Sequence, residues 1–349
     1  MTAITEDGTL DEALERVHST GPEFQGWLSN HAPMTVEALA RHGQARAVHR
    51  WLDSYRHRTE DLPTAALTIT DANWHEALGD ARHLGSWIAH FTRLTAELPW
   101  ADVLTTWWPR LLPGIIAGAT HPVIRVGHAV RTLLTDGETA PRTAELAHAL
   151  GYWAARHQPL PGTVTPSGTA GPHRALDAIP VYAAVQEGGI RDRLARLPAA
   201  DGWPAAASGL RRPAGPDDAH DLLAELVRAT VARYPRYAHG DAVMLVHAAT
   251  APNAVLRVLP ALPRALWVPS LAAAWEASAV ITAAYAPARA LFAGAGAGAA
   301  ATMEESFALA AAHGDAHVIK LADTAWDVGG PAALAATARA CELIEPGDG

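Results

Sequence analysis

Leu111-Leu112-Pro113-Gly114-Ile115-Ile116-Ala117-Gly118-Ala119-Thr120-His121-Pro122-Val123-Ile124-Arg125-Val126-Gly127-His128-Ala129-Val130-Arg131 is the stretch from which the rest of the chain is read. His121 and His128 stand seven positions apart. At 3.6 residues per turn that is almost two turns, so the spacing predicts a helix with both imidazoles on one face. Pro122 suits the first helical position, because the N–H it lacks would be unpaired there. His121 then lies at the helix entrance and His128 two turns in. Arg125 follows His121 by four positions and Arg131 follows His128 by three, which sets a cation beside each imidazole. Two hydrogen-bonded histidines on an apolar core helix satisfy the same spacing. A role for the pair therefore depends on what else the chain carries.

Helical periodicity recurs outward from this segment. Residues 10–18 read as a short amphipathic helix ended by Gly21-Pro22. Ser29-Asn30-His31-Ala32-Pro33-Met34 is turn-rich and leads into a helix near Thr35, which places His31 on a loop or helix entrance. Residues 36–58 keep helical spacing with a break at Gly43, and 81–98, 101–112 and 141–156 follow suit. Further helices are expected over 180–196, 221–233, 251–285 with proline interruptions, and 303–312. Residues 158–172 and 199–218 are rich in Pro and Gly and read as long loops, the first with the length of a lid or binding loop. No long β-branched alternation appears. The expected fold class is all-α, a single large helical domain with Pro/Gly-rich loops.

Composition narrows the function. The chain has 349 residues, 49% of them hydrophobic, enough for a sizeable core. A net charge of -9 argues against a nucleic-acid or anionic-membrane surface. Cys341 is the single cysteine, so neither an intrachain disulfide nor a Cys-ligated zinc site can form. The polar, acidic start does not read as a signal peptide, and no run of about 18 uninterrupted apolar residues appears. A cytoplasmic protein with no membrane partner is expected. The Ala/Gly alternation at 293–300 follows no strand and lies in no βαβ unit, so it is read as a loop and not as a dinucleotide fingerprint.

Three biases remain: 18 histidines, 12 tryptophans against four phenylalanines, and one lysine. His247 sits in the apolar run Ala242 to Thr250, where a buried imidazole needs a hydrogen-bond partner or a metal. Lys320 lies between Ile319 and Leu321. Arginine, used at every other basic position, would snorkel there equally well, and only lysine offers an amine that can be deprotonated and modified. His220-Asp221 superficially matches a metal-dependent phosphohydrolase signature. Its place at a helix start after Pro216-Asp217-Asp218 suits a cap.

Together, Asn30-His31-Ala32-Pro33-Met34, residues 112–121, Gly127-His128-Ala129-Val130-Arg131, His247-Ala248-Ala249-Thr250 and His317-Val318-Ile319-Lys320 resemble the questin oxidase-like family, over roughly residues 25–325. On that resemblance the chain divides into an N-terminal helix and lead-in at 1–24, the family's helical domain at 25–325, and a C-terminal helix and tail at 326–349. The resemblance implies an oxygenase that uses O2 to oxidise or ring-cleave an aromatic, anthraquinone-like polyketide in natural-product biosynthesis. It implies Fe(II) held by His31, His121, His128, His247 and a carboxylated Lys320, with Thr250 hydrogen-bonded to the added carboxylate and His317 as a reserve ligand. Neutral imidazoles and a hard carboxylate suit Fe(II), and tryptophans suit the walls of a polycyclic-substrate pocket. An NADPH-dependent Baeyer–Villiger-type monooxygenase, with NADPH as external reductant, is the family's other activity. A non-catalytic helical binding protein is the alternative outside enzymology.

Overall fold

A computed structural model describes residues 6–160, 165–182, 187–291 and 300–347. The described chain is built of helices, with one two-stranded antiparallel sheet. All-α is therefore the fold class. The chain groups into two compact units, the first running to Pro159 and taking in Pro260–Leu262, the second formed by Leu160–Leu259 and Pro263–Gly347.

The first unit contains α1 (Glu6–His18), the hairpin β1 (Glu23–Phe24) and β2 (Leu28–Ser29), α2 (Ala32–Arg41), α3 (Ala45–Tyr55), α4 (Trp74–Ala77), α5 (Leu84–Glu97), α6 (Trp100–Leu111), α7 (His121–Thr135) and α8 (Ala140–Arg156). From His121 on, the stretch 111–131 is helical, as the spacing predicts, but His121 itself opens the helix and Pro122 falls in its first turn. Gly43, in the left-handed region, separates α2 from α3 where the break was expected. α7 and α5 both pack against α8, and α2 packs against α7. The small hairpin was not expected from the sequence. Gln25 and Gly26 both take positive φ, and two strands of two residues leave no alternation to read.

The second unit contains α9 (Pro172–Asp177), α10 (Ile190–Arg196), α11 (Trp203–Ala207), α12 (Pro216–Tyr237), α13 (Ala242–Val258), α14 (Trp267–Tyr285), α15 (Met303–His313), α16 (Ala316–Val328) and α17 (Gly330–Leu343). Side-chain caps start several of these: Asp241 accepts from the Met244 N–H, Thr302 from Glu305, and Asp315 from His317 and Val318. The expected helix at 180–196 is confined to Ile190–Arg196 among the described residues, because Gly188 turns the chain through positive φ. The proline interruption expected within 251–285 separates two helices. Pro260 and Pro263 lie between α13 and α14, and neither can donate to a helical ladder. The two Pro/Gly-rich segments are partly paired, with parallel bridges from Gly168 to Arg211 and Ala170 to Leu210. Gly168 is required there, since a Cβ would come within 2.1 Å of the Gly209 carbonyl oxygen. Most of the Ala/Gly alternation, 293–299, lies outside the described residues.

Residues Ala242–Ala261 and Arg264–Tyr285 form two helices long and apolar enough to cross a membrane. Their most apolar windows are 72% and 61% buried, and α13 packs against α12, α14 and α16 within the second unit. Trp87, Trp108, Trp153 and Trp275 are among the largest fully buried side chains. Trp87 and Trp153 donate their indole N–H to the carbonyls of Ala77 and Gly114, and Trp275 donates to Ala207. All four are core residues, and Trp87, Trp153 and Trp275 have satisfied donors.

Candidate metal-binding histidines

In the first unit, α7 is entered through an unusual turn. Gly118, Ala119 and Thr120 have φ of 49°, 55° and 69°, three consecutive left-handed residues of which two carry a Cβ. L-residues pay roughly 1–2 kcal/mol each in that region, and such outliers cluster at functional sites. The turn brings the Gly118 carbonyl to His121 Nδ1 at 2.6 Å. A carbonyl only accepts, so Nδ1 carries the proton and Nε2 of the neutral ring carries the lone pair. Gly118 also allows close packing, since a Cβ there would lie 2.9 Å from the Tyr152 hydroxyl.

His31 closes on His121 from the start of α2. The two Nε2 atoms are 2.8 Å apart and the rings stack at 15° with centroids 4.6 Å apart. Neighbouring imidazole ligands at about 2.0–2.1 Å from one ion would be separated by about 3 Å. His31 is held by its backbone N–H donating to the Tyr55 hydroxyl and its carbonyl accepting from Thr35 Oγ1. Asn30 fixes the turn before it, accepting from the Ala32 N–H and donating to the Gly21 carbonyl.

His128, two turns along α7, is also buried, and its Nδ1 lies 2.7 Å from Glu37 Oε2 on α2. Glu37 is gripped in turn by Arg131, whose Nε donates at 3.0 Å and whose Nη2 donates to Oε2. The expectation of a cation beside each histidine is thus met at one position. Arg131 reaches the neighbourhood of His128 through their common carboxylate. Arg125 turns instead to Glu145 on α8. Reading spacing alone missed Glu37, whose position in α2 gives no sign of what α7 sets opposite it.

In the second unit, His247 on α13 and His317 on α16 stack at 22° with centroids 5.6 Å apart. The reserve candidate therefore neighbours the chosen one. Asp315, the cap of α16, accepts from the His317 backbone N–H, and its carboxylate lies 3.5 Å from His317 Nδ1. Burial opposes ionisation of that carboxyl, but the hydrogen bonds and charge of His317 and the Val318 N–H outweigh it and hold its pKa at about 2. Lys320 is fully buried, and its Nζ has no hydrogen-bond partner among the described residues. Burial brings its pKa down to about 7 against the opposing charge of Asp315. Thr250 is buried one turn after His247 and donates to the Val246 carbonyl at 3.2 Å. His220 is half-buried, 3.3 Å from the exposed Asp221. Asp218 is committed to Arg211, so that segment presents a solvated helix start.

No curated protein matches this chain. The blocks at 247–250 and 317–320 fall outside the segment that a family model recognises. Residues 28–135, which carry His31, Glu37, His121 and His128, match the family model described as Questin oxidase-like, and over that segment the chain is similar to that family.

Proposed function

We propose that this protein is a non-haem Fe(II)-dependent oxygenase that uses O2 to oxidise or ring-cleave an aromatic or polycyclic polyketide. The similarity to a family described as that of an oxidase supports oxidoreductase chemistry on a small molecule. The proposed ligands are His31, His121, His128, His247 and a carboxylated Lys320. The observation that carries this reading is the approach of His31 and His121 through Nε2 at 2.8 Å, with His121 locked by Gly118 in the tautomer that turns its lone pair toward His31. Core histidines satisfied by hydrogen bonding do not need a strained left-handed turn to set their tautomer.

The residues fit such a group chemically. Buried neutral imidazoles are suitable donors for a borderline divalent ion. Burial favours the neutral amine of Lys320, a nucleophile for CO2; its N–C bond to CO2 would form with release of one amine proton, and the carbamate would put a hard oxygen donor in place of a buried cation. The proposed partner of that carbamate is the Thr250 hydroxyl. When bound, Fe(II) would supply the redox chemistry that makes O2 reactive toward an electron-rich ring. The chain's part is to hold the imidazoles neutral and oriented, and to keep the donors in a dry environment.

The test is metal analysis of full-length protein purified anaerobically, with O2 uptake measured on hydroxyanthraquinone substrates. Close to one iron per chain, lost in His121→Ala together with O2 uptake, is expected. Full turnover by metal-free protein would sink the proposal.

A further inference from the structure

The two α7 histidines share a feature that spacing does not require. In each the nearest partner of Nδ1 is an acceptor: the Gly118 carbonyl at 2.6 Å for His121, and the Glu37 carboxylate at 2.7 Å for His128, where the Arg131 Nη2 donor stands farther off at 3.4 Å. Histidines that bind metals commonly spend their second ring N–H in this way, which fixes the tautomer, orients the ring and raises the basicity of the binding nitrogen. Glu37 is built for such a role. It is 4% exposed, and its two oxygens are shared among Arg131, His128 and Thr132. Arg131 holds the carboxylate in one plane through a two-point contact. Thr132, also on α7, donates to the His128 carbonyl and reaches Glu37 Oε1 at 3.4 Å. The carboxylate thus comes from α2, the same helix that His31 opens, and it meets three side chains of α7. One α2–α7 packing arrangement therefore sets both the His31–His121 approach and the ring plane of His128.

We propose that Glu37 is the positioning residue of His128, holding it as the Nδ1–H tautomer so that Nε2 is its metal-binding atom. This rests on the proposal that His128 is a ligand, and it adds a residue that neither the sequence reading nor the family similarity assigns. Glu37 touches neither substrate nor iron in this scheme. Its effect passes through the imidazole.

The experiment has two arms on the full chain. In the first, long-range 1H–15N correlation spectra of histidine-labelled, metal-free wild type report the tautomer of His128, assigned by its loss in His128→Gln. The Nδ1–H form is expected, and the Nε2–H form would overturn the inference without touching the oxygenase proposal. In the second, anaerobic Fe(II) is titrated calorimetrically into chelator-treated wild type, Glu37→Gln and Glu37→Asp. A 10- to 100-fold loss of affinity is expected in Glu37→Gln, with part of it recovered in Glu37→Asp, which keeps the charge. Because Glu37→Gln also leaves Arg131 without its carboxylate, circular dichroism must show a folded variant. If that variant is unfolded, Glu37→Asp and the wild-type spectrum decide. Unchanged affinity in a folded Glu37→Gln would overturn the inference. Failure of the wild type to bind Fe(II), with the Nδ1–H tautomer present, would sink the iron proposal and uphold the Glu37–His128 lock.

Discussion

Arg125 on α7 and Glu145 on α8 meet in a two-point ion pair, Nε to Oε1 at 2.5 Å and Nη2 to Oε2 at 2.8 Å, with both side chains buried. His18 at the end of α1 adds a third contact to Glu145, 3.0 Å from Oε2. This cluster ties three helices together one turn beyond His121, and a buried pair of this kind is sensitive to losing one member. Arg125→Met should destabilise the first unit by about 3–5 kcal/mol, because Glu145 is left charged and buried. The double variant Arg125→Met, Glu145→Leu should recover most of that loss. Urea denaturation of the wild type, both single variants and the double variant measures the coupling.

Acid should unfold the same region first. Burial, with the charges of His18 and Arg125, pushes the His148 pKa down to about 3. The unfolded chain therefore takes up that proton first, and stability is lost as pH falls from about 6.5 toward 3. Glu145 acts further down. Burial raises its pKa, but Arg125 and His18 outweigh burial and hold it at about 2, so its contribution is lost as pH falls from about 4.5 to 2. His148→Leu should keep roughly 2 kcal/mol more of its neutral-pH stability at pH 4.5 than the wild type does. Thermal or urea melts across pH 4–8 are the measurement.

Lys320 should respond in the alkaline direction. Its pKa in the folded chain is about 7, below the ordinary lysine value, so the unfolded chain holds more protons between about 7 and 10.5. Stability of metal-free, CO2-free protein should therefore rise with pH across that window. Lys320→Met should remove the rise and be more stable near pH 7 by about 1–4 kcal/mol, as replacements of buried charges by apolar groups often are. An unchanged pH profile in the variant would contradict the burial argument.

The left-handed turn before α7 stores strain that a substitution can release. Ala119→Gly should stabilise the protein by about 0.5–1 kcal/mol, since the removed Cβ penalty exceeds the added freedom of the unfolded chain. Gly118→Ala should do the reverse and displace the carbonyl that holds His121, because its new Cβ would meet the Tyr152 hydroxyl at 2.9 Å at a φ of +49°. The two variants should thus move stability in opposite directions in chemical denaturation.

Carboxylation of Lys320, if it supplies a ligand as proposed, should make metal affinity depend on dissolved CO2. Adding bicarbonate to degassed apo-protein should tighten Fe(II) binding several-fold in the wild type and less in Thr250→Val. It should have no effect in Lys320→Met. Carbon-13 bicarbonate provides an independent readout, as a carbamate resonance that the lysine variant lacks.

Much of this was legible in the chain itself. Helical periodicity with proline and glycine punctuation sets an all-α class, because burying one face at a spacing of 3.6 residues is a local demand that neighbouring residues meet. The same local logic places His121 and His128 on one helix face, Gly43 at a break, and Lys320 in an apolar helix where a lone amine is out of place. The failures were local as well. Where glycine interrupts, as at 187–189, periodicity cannot tell a short turn from a continuing helix.

Tertiary structure decided the rest. The approach of His31 to His121 across ninety positions, the choice of Glu145 over His121 by Arg125, and the meeting of Glu37 with His128 all depend on which helix faces which. Packing between distant segments sets those neighbours, and no spacing within one helix encodes them. The strained turn at 118–120 belongs here too. An alanine and a threonine adopt left-handed backbone only where surrounding contacts outweigh their own preference, so the residues that bear the strain do not announce it.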